Sequence, residues 1–372
     1  MIERKIYNWQ QDGWPRFVYD AAPLEPLLHE YTALSGTFAG TNENSTTNDQ
    51  IKATVDIMIT EALKTSEIEG EYLSQKDLRS SIKNNLGLSN PKEKVRDLKA
   101  KGAADLMMAC RTAFDKPLSR KMLFSWHRMI MADDNTVKIG AWRSRAEPMQ
   151  VISGALGKVK IHYEAPPSAQ VASEMKHYVM WYNRSLKEDY PHGYQAPIRS
   201  ALAHLYFESI HPFQDGNGRM GRALSDKALS QGHGTPVLLS LSKTISDKRQ
   251  DYYNALERAQ KKLDVNEWLH YFLNVCIQAQ RDAIERIRYS IKKKNFWQSH
   301  KDLLNDRATK VIKRMTKGGY DGFDGYLNAR KYMAITKCSK ATATRDLQDL
   351  LAAGVLNAIG EGRSRSYTLK DL

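Results

Sequence analysis

Residues 211–222 read "HPFQDGNGRMGR", and how these twelve residues are read decides the rest of the chain. The stretch before them, "QAPIRSALAHLYFESI" at 195–210, is predicted helical, with Leu202, Leu205, Tyr206 and Ile210 along one side. "MGRALSDKALSQGH" follows as another helix, so "HPFQDGNG" is a loop joining two helices, the second starting near Gly218. A helix N-terminus offers free N–H groups and a partial positive charge, which suits an anion. Gly216 and Gly218 let the backbone bend and approach a ligand with no Cβ in the way. Arg219 and Arg222, three apart, share one helix face near that end. Two guanidiniums beside such a loop suit a di- or triphosphate. Asp215 adds a hard oxygen for Mg²⁺ bridging phosphate oxygens. His211 is the residue type that takes a proton from an attacking hydroxyl near neutral pH. Phe213 is the apolar pin of the loop. The nearest histidines, His204 and His233, have no ligand-like spacing to His211, so a histidine metal site is not expected. Together the parts describe transfer of a phosphate-linked group from a nucleotide to a hydroxyl, with positioning and charge stabilisation carrying most of the chemistry.

Around this centre the chain has 372 residues, enough for two or three domains, with an ordinary globular composition of 41% hydrophobic and 26% charged residues. The N-terminal "MIERKIYNWQ" has no apolar stretch of signal-peptide type, and no apolar run approaches the ~20 residues that span a bilayer. Cys110, Cys276 and Cys338 are too few and too scattered for a disulfide framework or a zinc site. A cytoplasmic, membrane-free protein is the expectation. The net charge is +14; residues 291–372 carry 17 Lys/Arg against 8 Asp/Glu, so +9 of it sits in the last fifth. That asymmetry suggests an acidic partner for the C-terminal segment, nucleic acid first.

Residues 1–45 form an arm or small domain whose Trp9, Trp14, Phe17 and Tyr19 anchor it onto a larger body. After polar "GTNENSTTNDQ", the run "IKATVDIMITEALKTSEIEGEYL" has Ile51, Val55, Met58, Ile59, Ala62 and Leu63 at helical spacing. Asn48 or Asp49 is the expected N-cap and Gly70 the terminator. Several helices follow over 74–140, with Phe124, Trp126, Met129 and Ile130 on one apolar face. "MQVISGALGKVKIHYEAPP" differs in kind: β-branched runs flank a glycine-containing turn at 154–157, which signals a β-hairpin. Helices resume at 168–190 and from about 245 to 295, and "RYSIKKKNFWQSHK" is a basic linker or helix end.

Residues 211–222 resemble the Fic family signature, H-x-F-x-[D/E]-G-N-G-R-x-x-R, at every fixed position, and the resemblance spans about residues 50–290. It implies a mainly α fold: a Fic-type helical core at 46–290 with a β-hairpin flap at about 149–165. It implies a protein adenylyltransferase moving AMP from ATP to a Ser, Thr or Tyr hydroxyl of a protein target, itself included. By position, His211 is the implied base and Asp215 the Mg²⁺ ligand. Gly216, Asn217 and Gly218 form the implied phosphate cradle, and Arg219 and Arg222 bind the outer phosphates. The hairpin resembles the family's flap, which holds a target segment by strand addition; Val151, Ile152 and Ile161 are its contacts. Tyr252 and Tyr253 in "DYYNAL" either pack in the core or cover the adenine, the resemblance favouring Tyr253. Gln260 stands where some relatives carry Asn against the base, which leaves other nucleotides open.

"TSEIEGE" at 65–71 resembles the family's inhibitory motif, [S/T]-x-x-x-E-[G/N], within a helix at about 49–70. Thr65 and Glu69 lie one above the other, with Gly70 next. A carboxylate there can pair with Arg222 and occupy the place of the γ-phosphate; the alternative is a solvated acidic helix end. Some braked relatives also remove AMP, so the direction of the reaction stays open. Residues 300–372 resemble a winged helix: "NARKYMAIT", "CSK", "ATATRDLQDLLAAG" with Leu347, Leu350 and Leu351 buried, then two strands around a Gly/Arg-rich tip. Thr342, Thr344, Arg345, Arg363 and Arg365 are the DNA contacts that this implies. Binding of another protein, homodimer formation or a structural cap are the alternatives. A nucleotide-sensing DNA-binding regulator is the rival to the enzyme, and the intact His211 favours the enzyme.

Overall fold

The computed structural model describes residues 7–43, 47–134, 136–153, 160–187, 195–317, 320, 325–370 and 372; the turn expected at 154–157 lies outside them. The fold is mainly helical, with two small antiparallel sheets among the described residues. The chain divides into two compact units, Met1–Phe38 with Thr54–Ala283, and Ala39–Ala53 with Ile284–Leu372.

Helices α1 (Glu25–Glu43) and α2 (Thr47–Ile68) come first. Asn48 and Asp49, expected as caps, lie inside α2, which begins at Thr47. The far end is as the glycine implies. Gly70 takes φ +80°, its N–H reaches Glu67 O, and the Glu71 N–H reaches back to Ser66 O at 2.9 Å. This double closure ends the helix in a left-handed residue that only glycine adopts cheaply. It leaves Glu69 as the last residue before the chain turns away. Helices α3 (Gln75–Asn85), α4 (Leu98–Thr112) and α5 (Arg120–Ile130) are capped by Ser74, Asp97 and Ser119, whose side chains accept backbone N–H groups of the first turn. The strands β1 (Gln150–Ser153) and β2 (Lys160–Glu164) pair antiparallel, with a bulge at Val151/Ile152.

After α6 (Ser168–Arg184) come α7 (Gln195–Ile210) and α8 (Asn217–His233), the centre of the first unit. Nearly every residue of α7 is buried, including Arg199, His204 and Glu208, as a helix enclosed on all sides must be. Side chains pair Ala196 with Gly232, Ser200 with Ser225 and Glu208 with Gly221, so α7 and α8 run in opposite directions. Helices α9 (Leu241–Asp247), α10 (Arg249–Ala259) and the start of α11 (Asn266–His300) close one apolar cluster with α1 and α7; α4, α5 and α6 close another. A third joins α2 to α3 and α4 through Val55, Met58, Ile59 and Ala62.

The N-terminal arm is fastened to this body. Asn8 Nδ2 donates to Ser209 Oγ at 2.9 Å, and Trp14 stands edge-on to Tyr206 at 5.1 Å with its indole N–H on Glu174. Val18 exchanges backbone hydrogen bonds with Leu263 and Val265.

The second unit orders α12 (Asp306–Lys317), a single bridged residue Leu327, α13 (Ala329–Thr336), α14 (Lys340–Ala352) and strands β3 (Leu356–Ile359) and β4 (Ser366–Leu369); Leu327 pairs with Tyr367 of β4. Leu347 and Leu350 are buried; Leu351 is only half-buried. The buried carboxylate of Asp346 accepts from Arg307 at 2.7 and 2.9 Å and from the Tyr332 hydroxyl at 2.8 Å, which ties α12, α13 and α14 together. The basic stretch at 288–301 is a helix end, not a linker; it continues α11 as far as His300.

Candidate active site

The loop of residues 211–216 is held from three sides. His211 leaves α7 in a left-handed conformation, φ +49°, while its N–H still closes the last helical turn onto Phe207 O. Arg143 grips the turn: Nε donates to His211 O at 2.8 Å, Nη2 to Ile210 O at 3.2 Å and Pro166 O at 2.5 Å, and its backbone N–H to Pro212 O. Burial pushes the Arg143 guanidinium down to about 10, and it stays cationic at neutral pH. Phe213 stacks on His127 at 4.0 Å. His127 Nδ1 accepts the Gly140 N–H, so Nε2 carries the proton and donates to Asp215 O at 3.1 Å. Burial holds His127 below its ordinary pKa, in keeping with this neutral tautomer.

The Asn217 side chain is bonded within the loop: the amide oxygen accepts Phe213 N–H and the nitrogen donates to Phe213 O, both at 2.9 Å. Gly216, with φ +78°, opens the first turn of α8. At Gly218 a Cβ would collide with Glu69 Oε1 and crowd Arg222 Nη1.

That collision locates the inhibitory-motif residues. Arg222 is buried; its Nε donates to Thr65 Oγ1 at 2.7 Å, and Nη2 to Thr65 O at 2.9 Å and Glu69 Oε1 at 2.7 Å. Nη1 is buried and has no hydrogen-bond partner among the described residues. Burial alone would lower the Arg222 pKa, but the charge and hydrogen bond of Glu69, with Tyr252 and Glu208, together raise it. Arg219 is also paired, with Glu71 at 2.6 Å. Both arginines of the signature thus meet acids at one helix end.

His211 Nδ1 lies 3.5 Å from Glu208 Oε2, one turn back on α7. Glu208 is 4% exposed. Burial would raise its pKa, but His211, His204 and Arg222 hold it below the usual glutamate value, so the carboxylate is ionised behind the imidazole. Asp215 is exposed at the mouth, its Oδ1 accepting the Gly216 N–H. Among the described residues no three His, Cys, Asp or Glu side chains converge as a metal site.

The two tyrosines separate. Tyr252 is buried and hydrogen-bonded to His204 at 2.8 Å, so the core reading holds for it. Tyr253 is half-buried, with its hydroxyl 3.3 Å from Ile68 O beside Glu69. Gln260 is buried and donates to Glu208 O. On the hairpin, Val151 packs against the Tyr7–Tyr163 cluster, Ile161 is half-buried and Ile152 is 56% exposed. Tyr163 anchors β2 through its hydroxyl to Ser209 O at 2.6 Å, two residues before His211. Sequence reasoning missed His127, Arg143, Glu208 and Glu71. A lone histidine on an apolar helix face reads as core, and an arginine clamping distant carbonyls leaves no local spacing to detect.

Residues 117–229 match the Fic/DOC family, and residues 7–88 match a domain of unknown function (DUF4172). The latter contains the arm, α1, α2 and α3, and with them Thr65 and Glu69. Protein adenylyltransferase fic-1 of Caenorhabditis elegans is 29% identical over 140 residues, 37% of this chain and 23% of that protein. Protein adenylyltransferase Fic of Drosophila erecta is 26% identical over 188 residues, 45% of this chain and 34% of that one. The chain thus spans about a quarter to a third of the length of these relatives. A Fic family protein from Desulfovibrio desulfuricans G20 has the same fold over 96% of this chain and 98% of its own, with TM-score 0.56 and 20% identity. The loop between α7 and α8, its clamps and these matches agree: the chain carries a Fic/DOC family domain at residues 117–229.

Proposed function

We propose that the protein is a protein adenylyltransferase, held in check by its own Glu69. The observation that carries the reading is the carboxylate seated in an anion cradle: Glu69 lies against Gly218 at the first turn of α8 and 2.7 Å from Arg222. A helix N-terminus, a glycine without side chain and a buried guanidinium with one orphan N–H group suit phosphate oxygens, and the acid stands in for them. ATP binding with its γ-phosphate at this place requires Glu69 to leave. Arg222 would then keep its two bonds to Thr65 and remain aimed.

His211 is the base. Glu208 behind Nδ1 leaves Nε2 to take the proton of an incoming Ser, Thr or Tyr hydroxyl as it attacks the α-phosphorus. The Arg143 and His127 clamps keep the loop rigid, so the base needs no reorganisation. The donor set fits Mg²⁺ as far as the protein supplies it. Asp215, exposed at the start of α8, would hold Mg²⁺ through a hard carboxylate oxygen, and the ion would offset phosphate charge there. Tyr253, half-buried beside Glu69, would cover a nucleobase, and exposed Ile152 would meet a target segment. Incubation of Glu69→Gly with labelled ATP and Mg²⁺ tests the reading. AMP should appear on protein, and adding His211→Ala should abolish it. Equal labelling with and without His211 overturns the assignment.

The second unit we infer to be a winged helix that meets nucleic acid. Helices α13 and α14 followed by a hairpin support this, as do exposed Thr344, Arg345 and Arg365; Thr342 is half-buried and bonded to Ser339, and the Arg363 side chain lies outside the described residues. Duplex binding that weakens with a steep salt slope supports it, and salt-independent binding or none overturns it.

A further inference from the structure

The motif that contains Thr65 and Glu69 ends at Gly70, but the ionic contacts continue past it. Glu71 Oε2 accepts from Arg219 Nη1 at 2.6 Å, and Glu71 Oε1 accepts from Lys99 Nζ at 3.3 Å. The order is crossed: the later acid, Glu71, meets the earlier arginine, Arg219, while Glu69 meets Arg222. The two arginines are three residues apart on α8, so the two acids grip neighbouring positions of one helix. Gly70 allows this. Its φ of +80° turns the chain between the acids, and the bond from Glu71 N–H to Ser66 O keeps Glu71 tied to the last turn of α2.

Arg219 is held as an anchor. Its side chain is 6% exposed. Nη1 also donates to Ile130 O at 3.3 Å, and Nη2 lies 3.3 Å from Met131 Sδ, which fixes the guanidinium at the end of α5. Lys99 brings in α4, and Asp97, which caps α4, accepts the Ser74 N–H at 2.8 Å. Residues 71 and 74 are thus both fastened to α4, and Glu71 to α8 as well. Displacing this segment breaks charge-assisted bonds. Only Gly70 separates Glu71 from Glu69, so a seated Glu71 keeps the Glu69 carboxylate at high local concentration beside Arg222.

We propose that Glu71 is a positioning residue of the brake: through Arg219 and Lys99 it keeps the end of α2 in place, so that Glu69 stays seated against Arg222 and Gly218. This rests on the reading above, in which Glu69 bars the nucleotide. The two arginines then have separate tasks. Arg222 is the seat that acid and phosphate compete for, and Arg219 is the post to which the acid's segment is moored. Release of the brake requires Glu71 to let go as well as Glu69.

Four full-length proteins test this: wild type, Glu71→Gln, Glu69→Gly and the double variant, each with ATP affinity measured by calorimetry and AMP incorporation measured with Mg²⁺. Glu71 is 23% exposed and its bonds are partly screened, so Glu71→Gln should tighten ATP binding by roughly threefold to tenfold, less than Glu69→Gly does. In the Glu69→Gly background the same change should move the affinity by less than about twofold, because no seated carboxylate remains for Glu71 to hold. Lys99→Ala removes a partner whose side chain is 45% exposed, and it gives the same readout should Glu71→Gln fail to fold. It should act in the same direction, more weakly, and also lose its effect without Glu69. Affinity that is unchanged or weaker in both Glu71→Gln and Lys99→Ala overturns the inference. An equal gain with and without Glu69 overturns it too, because Glu71 would then compete with phosphate directly at Arg219. The expected affinities with no AMP on any protein leave the mooring standing and overturn the transferase reading.

Discussion

Replacing Glu69 tests the centre of the account, and the structure sets the size of the effect. In the wild type one charge-assisted hydrogen bond, Glu69 Oε1 to Arg222 Nη2 at 2.7 Å, must break before a phosphate can take the seat. Such a bond contributes about 1.5–3 kcal/mol when shielded. Arg222 is buried but the Glu69 side chain is 32% exposed, so screening places the value toward the lower end. At 1.4 kcal/mol per decade, that corresponds to roughly a tenfold to thirtyfold gain in productive ATP binding. Charge is only half of the obstruction, because the carboxylate also fills the space over Gly218. Glu69→Gly removes both and should show the full gain. Glu69→Gln keeps the volume and should show the smaller part of it. The assay is the initial rate of AMP incorporation over an ATP series, with circular dichroism to verify that α2 still folds. Thr65 holds Arg222 independently, so the arginine should stay in place in both variants. Unchanged rate and ATP dependence in Glu69→Gly would refute the reasoning. A Gln variant as fast as Gly would show that volume plays no part.

Arg143→Lys should lower kcat more than it changes KM, because a lysine cannot span the carbonyls of His211, Ile210 and Pro166 at once and the loop would lose its fixed geometry; steady-state kinetics in the Glu69→Gly background check this. Asp226 on α8 is raised well above its ordinary pKa, first by burial and then by the Glu61 carboxylate, and its Oδ1 has no hydrogen-bond partner among the described residues. The native state therefore holds a proton that the unfolded chain releases, so this group costs stability increasingly as pH rises from the ordinary aspartate value toward the raised native one. Asp226→Asn should raise the melting temperature at neutral pH and flatten its fall with pH. An identical pH profile in the two proteins would count against the buried pair.

The twelve residues from His211 to Arg222 carried most of what could be read in advance, because loop chemistry of this kind is local. A glycine pair, a helix start and two arginines one turn apart fix their own geometry through backbone rules. The hairpin and the end of α2 at Gly70 were legible for the same reason: alternation and a left-handed terminator act over a few residues. The pairing of Thr65 and Glu69 with Arg222 was half legible. Thr65 and Glu69 share a helix face by periodicity, but their meeting with Arg222, 153 residues on from Glu69, depends on how α2 packs against α8.

What only the tertiary structure decided concerns partners far apart in sequence. Asn217 looks like a ligand residue, yet its amide is spent on the loop's own backbone, and Tyr252 looks like half of a stacking pair, yet it is buried against His204. Glu208, Arg143 and His127 carry no recognisable spacing because each acts on a backbone or side chain delivered by another element. Periodicity says which face of a helix is apolar; it cannot say which polar group waits across the interface. That choice comes from packing, where most buried donors and acceptors find a partner and the fold determines which ones are within reach.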